Sequence, residues 1–181
     1  MRTLAFHEAI PGHHLQVALN LENENLSLYR RFGYGTSAFS EGWALYSEIL
    51  ALEAGLAEDP YDELGVLQSE LFRAVRLVVD TGMHYKRWTR EEAMAYMKDI
   101  TGMSDTEVRV EIERYIVWPG QACSYKVGML KILELREKAK EKLGEDFNIK
   151  DFHSAVLDHG IPPLFIVEQK VDEMIEEALS Y

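Results

Sequence analysis

Residues Thr3–Gln16 read TLAFHEAIPGHHLQ, and the fold and chemistry of the rest of the chain turn on this stretch. His7 and Glu8 stand side by side, and His13 and His14 follow a Pro11-Gly12 break. In the two-histidine zinc motif, histidines four residues apart share one helical face and hold the metal, while the Glu after the first serves as general base. Here the second histidine comes six or seven residues after the first. On a regular helix position i+7 returns to within roughly 20° of i, so periodicity alone pairs His7 with His14. Pro11, however, cannot donate to the carbonyl of His7 and its ring clashes there, while Gly12 adds backbone freedom. A loop that absorbs the extra residues would put His13 in the second position instead. Spacing leaves both pairings open.

The second informative segment is Phe39-Ser40-Glu41-Gly42-Trp43-Ala44-Leu45-Tyr46-Ser47-Glu48, expected as part of a helix reaching about Ala54. Glu41 and Glu48 are seven apart and so share a face, with Leu45 between them. Two carboxylates on the inner face of an apolar helix are costly unless something cationic pairs with them. A metal ion and a ligating histidine would do so. Taken alone, the same pattern also suits a solvated acidic stripe.

The segment His7-Glu8-Ala9-Ile10-Pro11-Gly12-His13 resembles the HExxPGH signature of the family catalogued as domain of unknown function 885, which is grouped with the gluzincin metallopeptidases. The resemblance continues through Arg76–Gly82 and His84, and again from Tyr115 to Gly128. It implies an all-α, zincin-like catalytic domain in which His7, His13 and Glu41 hold Zn2+ and Glu8 activates water. Glu48 would support a ligating histidine from behind. Tyr125 and His84 would stabilise an oxyanion. The substrate so implied is a peptide. Members of that family are longer and carry the motif in their carboxy-terminal part, so residues 1–181 are expected to form one helical domain corresponding to that part.

The remaining chain reads as helix throughout, eight or nine in all, with no strand, internal repeat or phosphate-binding glycine loop. His13–Leu21 and Leu26–Phe32 are expected helices, the latter closed by Gly33-Tyr34-Gly35. Asp59-Pro60 pairs an N-cap with proline at the first helical position and predicts a helix to about Val79, broken by Asp80-Thr81-Gly82-Met83-His84. Arg73, Arg76, Asp80 and His84 gather at that helix end as a candidate substrate or oxyanion site, Arg76 being the substrate-binding candidate. Thr89-Arg90-Glu91-Glu92 and Ser104-Asp105-Thr106-Glu107 are capping boxes for two further helices. Pro119-Gly120 then re-aims the chain before Gln121 and Tyr125, one turn apart on one face, with Gln121 a second substrate-binding candidate. Met129–Leu143, Asn148–Asp158 and Leu164–Leu179 complete the series, and His153 and His159 are expected to be structural.

Composition narrows the function class. Apolar residues make up 47% and charged residues 28%, ordinary for a soluble globular chain of 181 residues. A net charge of −12 argues against a nucleic-acid partner or an anionic membrane surface. The single cysteine, Cys123, excludes an intrachain disulfide and fits a cytoplasmic location, as does the lack of a signal-peptide pattern. Two readings follow: the catalytic portion of a zinc-dependent metallopeptidase, or a non-catalytic, metal-stabilised helical module that binds a partner or is an inactive remnant of such a peptidase. Exposed apolar surface on such a portion would favour self-association into a homo-oligomer.

Overall fold

Proline, glycine and capping residues punctuate a run of amphipathic segments, and the computed structural model describes residues 2–33 and 35–180. Among these, the chain forms ten α-helical segments and no strand. They are α1 (Arg2–Glu8), α2 (His13–Glu22), α3 (Leu28–Phe32), α4 (Ser37–Glu53), α5 (Pro60–His84), α6 (Arg90–Thr101), α7 (Asp105–Val117), α8 (Ser124–Leu143), α9 (Ile149–Leu157) and α10 (Leu164–Leu179). The short α1 carries the count past the eight or nine expected. Of the Gly33-Tyr34-Gly35 trio, Tyr34 lies outside the described residues. No helix among the described residues is long and apolar enough to cross a membrane.

The helix starts follow from local chemistry. The Asp59 carboxylate accepts from the N–H groups of Tyr61 and Asp62 ahead of Pro60. Thr89 and Ser104 form reciprocal capping boxes with Glu92 and Glu107, and Asn148 caps α9. Each such cap contributes about 0.5–2 kcal/mol by satisfying otherwise orphaned helix N–H groups.

Two helix boundaries differ from expectation. α5 does not break at Asp80 but runs on to His84. Gly82 stays helical and faces the Trp88 ring so closely that a Cβ would collide with it. This glycine admits an aromatic ring instead of ending a helix. The helix re-aimed by Pro119-Gly120 starts one turn later than expected: Gln121–Cys123 form a short 3-10 turn, and α8 begins at Ser124 with Tyr125 on its first turn. Gly120, at φ 80°, supplies the left-handed residue that turns the chain there.

Two apolar clusters hold these helices together. One gathers Phe39, Trp43, Tyr46, Met129, Ile132 and Phe152 with neighbours from α4, α8, α9 and α10. The other joins α5, α6 and α7 through Val75, Val79, Met97, Val108, Ile112 and Tyr115. α4 and α8 make the most extensive helix pair. They approach where Gly42 meets Gly128, and a Cβ on either would run into the other helix's backbone. That close crossing puts Glu41, next to Gly42, across from Tyr125, one turn before Gly128. α5 packs on α1, α4 and α8 and brings a second wall to the same place.

Candidate metal centre

α1 stops at Glu8 and α2 starts at His13, so residues 9–12 form the expected break. Gly12 packs against the carbonyls of Phe6 and His7, where a side chain would have no room. The Ile10-Pro11 peptide is cis. α4 pins this turn from below: Trp43 donates its Nε1–H to the Pro11 carbonyl at 2.9 Å, and the Ser47 hydroxyl donates to the Phe6 carbonyl at 3.0 Å. The turn thereby absorbs the extra residues and aims His13 inward, while His14 is left exposed. Of the two pairings left open by spacing, the fold brings His7 together with His13.

One donor atom from each of His7, His13 and Glu41 lies within 4.8 Å of the other two. Nε2 of His13 is 3.1 Å and Nε2 of His7 is 3.6 Å from Oε2 of Glu41. The two imidazoles meet edge-on, with ring centroids 5.0 Å apart. A tetrahedral zinc with bonds of about 2.0–2.1 Å separates its donors by roughly 3.3–3.4 Å, a value the two observed spacings straddle. Two imidazoles and a carboxylate are also the donor types zinc takes in three-ligand sites with an open fourth position. Behind them, Nδ1 of His7 is 2.7 Å from Oε1 of the fully buried Glu48. With Nδ1–H donated to Glu48, the Nε2 lone pair of neutral His7 is left facing Glu41. The residues fit the ion.

The electrostatics agree with this arrangement. Burial works against an imidazolium at His7, but hydrogen bonds to Glu41 and Glu48 outweigh it and lift its pKa to about 9 without a metal. Burial likewise opposes ionisation of Glu41, yet hydrogen bonds from His13, His7 and Tyr125 hold its carboxyl well below the usual range. A proton on His7 therefore takes the place a cation would fill. Glu8, the residue after His7, is exposed at the end of α1.

Tyr125 lies beside this cluster, its ring stacked on His7 at 6.2 Å between centroids. Its hydroxyl takes a hydrogen bond from Nε2 of Gln121 at 3.4 Å. Gln121 in turn accepts from Arg114 at 3.0 Å and from Arg76 at 3.4 Å. Arg76 is only 2% exposed, its guanidinium 4.2 Å from the centre of the Tyr125 ring. It is thus a support behind the tyrosine, not the substrate contact expected of it, and Gln121 likewise is engaged in holding the phenol.

His84 is not brought to the cluster. Eleven residues beyond Arg73 on a straight helix places it roughly 16 Å further along α5. Its Nε2–H donates to the Tyr115 carbonyl at 2.9 Å, tying α5 to α7. Asp80 accepts from the Gly120 N–H at 3.0 and 3.2 Å and so anchors the Pro119-Gly120 turn. The oxyanion role expected of His84 therefore does not stand. Arg73, one turn before Arg76 and half-buried, does reach the site. Its guanidinium lies 5.3 Å from the Tyr125 ring centre and within the fields of Glu48 and Glu41. Only its depth separates it from Arg76, and depth is not written in a three-residue spacing.

The model of the family described as "Bacterial protein of unknown function (DUF885)" matches residues 1–171. The chain belongs to that family. No curated protein matches it. Two solved structures, both described as those of putative lipoproteins, are similar to it. The one from Colwellia psychrerythraea is 53% identical, with a TM-score of 0.93 over 97% of this chain and 30% of that one. The one from Shewanella oneidensis, of unknown function, is 33% identical, with a TM-score of 0.85 over 93% of this chain and 30% of that one. The chain thus spans about 30% of the length of either protein.

Proposed function

We propose that this chain carries the zinc-binding and catalytic residues of a gluzincin-like metallopeptidase. The convergence of His7, His13 and Glu41, with Glu48 locking the His7 ring, carries the reading. Bound zinc would supply Lewis-acid polarisation of the scissile carbonyl and lower the pKa of the attacking water to about 7. Glu8, next to His7 in sequence, would be the group that holds the proton of the attacking water and passes it to the leaving amine. Tyr125, steadied by Gln121 and Arg76, donates its hydroxyl hydrogen to the oxyanion as charge develops there. Glu41 has no proton to give, because its carboxyl is held ionised by the histidines.

A second reading, a metal-stabilised binding module, draws on one observation: the three ligands come from three different helices, α1, α2 and α4, which an ion would clamp together. Glu8→Gln separates the two. The peptidase reading expects the variant to keep its zinc and lose peptide hydrolysis. A parent protein that binds zinc but cleaves no peptide in a mixed peptide library, and a Glu8→Gln variant indistinguishable from it, would favour the module.

A further inference from the structure

We propose that Arg73 is the binding group for a carboxylate on the substrate, close to the bond that is cut. The inference rests on the peptidase reading and adds a substrate class to it.

In a chain with 31 acidic and 19 basic residues, buried Lys126 and Arg136 each find a carboxylate, and buried Arg76 finds the amide oxygen of Gln121. Lys126 pairs with Glu70 at 2.5 Å, and Arg136 with Glu53 at 2.7 Å. Arg73 does not. Its Nε is buried without a hydrogen-bond partner, and among the described residues no hydrogen bond or ion pair engages its guanidinium. Its contacts are the faces of Phe72 and Tyr125, at 5.0 and 5.3 Å from the ring centres. Such stacking orients a guanidinium but leaves its N–H groups unused. A planar group with donors held in one plane matches a carboxylate through two parallel hydrogen bonds.

The neighbours give it this task and not a purely internal one. No hydrogen bond or ion pair joins Arg73 to Glu48, whose Oε1 goes to His7 and whose Oε2 is buried without a partner, or to Glu41, which is shared by the two histidines. Arg76, from the same helix face, adds a second positive charge that repels Arg73. Arg73 also lines a hollow of about 270 Å³ with Phe72, Leu71, Gln68 and Met103, so an incoming group has access to it. A carboxylate entering there would relieve the repulsion and satisfy the unused donors of a guanidinium that also faces the Tyr125 ring. Both a free peptide C-terminus and an acidic side chain offer that chemistry.

The test is calorimetric titration of the zinc-loaded Glu8→Gln protein, which holds peptides without turnover. Three probes are used: acetyl-alanyl-phenylalanine as free acid, its C-terminal amide, and acetyl-alanyl-glutamic acid α-amide. At least one carboxylate-bearing probe is expected to bind roughly tenfold or more tightly than the neutral amide, since hydrogen bonds between ions are the strong ones. The stronger of the two names the source, C-terminus or side chain. Adding Arg73→Gln should bring that ratio close to one with zinc content unchanged, and Arg73→Lys should retain part of it. Equal binding of all three probes, or none, overturns the proposal. So does a preference that survives Arg73→Gln, which would mean that the carboxylate is held by the metal. Zinc content and Glu8-dependent hydrolysis are read separately, so a failed peptidase reading is recognised as such.

Discussion

Glu48 Oε1 lies 2.7 Å from Nδ1 of His7, 41 positions away in sequence, and both side chains are buried. A carboxylate placed there makes His7 the better ligand and also the better base. With its pKa lifted to about 9, His7 carries a proton near pH 7 when no metal is present. A metal takes only the neutral ring, so uptake must expel that proton, and apparent affinity should rise with pH until about 9. Calorimetry in two buffers of different ionisation enthalpy should register about one proton released per metal at neutral pH. Glu48→Ala should release less and bind zinc roughly 10–100-fold more weakly. No proton release by the parent would mean that His7 is already neutral.

Tyr125→Phe is expected to keep fold and zinc but to lower kcat by on the order of 10²–10³, the usual cost of losing one oxyanion donor. The measurement is steady-state cleavage of one peptide at matched zinc content. An unchanged kcat would return Tyr125 to a packing role, and a rise in KM alone would make it a substrate contact.

Gly128→Ala tests how the site is built. Its Cβ would meet the backbone of α4 at Ala38 and Gly42. Overpacking of this kind costs typically 1–3 kcal/mol, and it should also weaken zinc binding by moving Glu41 away from the histidines. Val127→Ala, at a partly exposed neighbour, is the control. Denaturant unfolding that finds the two variants equally stable would refute a tight α4–α8 crossing.

His153 gives a pH dependence separate from the metal. Its Nε2 accepts from the Tyr46 hydroxyl at 2.9 Å, and Arg136 approaches that hydroxyl at 3.4 Å. Burial and then the Arg136 charge push His153 down to about 4, against a weak pull from Glu53. The folded pKa is below the unfolded value of about 6.5, so the stabilisation is fully present above that pH. It is lost as pH falls from there towards 4. Unfolding midpoints should drop from pH 6.5 to pH 5, roughly the window before most carboxylates titrate, and His153→Gln should flatten that slope. Identical slopes would place the titration elsewhere.

Helix starts were legible because they are local: Asp59, Thr89, Ser104 and Asn148 cap helices three or fewer residues away. The shared face of Glu41 and Glu48 was legible for a similar reason, from a two-turn spacing. The choice of His13 over His14 came from the resemblance and was not legible in spacing, because it depends on a turn held by Trp43 and Ser47 from another helix. The expected helix end at Asp80–His84 came from Gly82, which has the look of a helix end until the Trp88 ring is seen against it, while the oxyanion role of His84 came from the resemblance alone. Arg73 and Arg76 share a helix face and both meet the ring of Tyr125, contributed by a helix some 50 residues later; what separates them is the greater depth of Arg76 and its bond to Gln121.

The central claim is that His7, His13 and Glu41 hold one zinc ion, and elemental analysis of purified protein tests it most directly. The account predicts about one zinc per chain, loss of it in His13→Ala and in Glu41→Ala, and full retention in His14→Ala, whose side chain is exposed. Zinc kept by His13→Ala, or lost from His14→Ala alone, would contradict it.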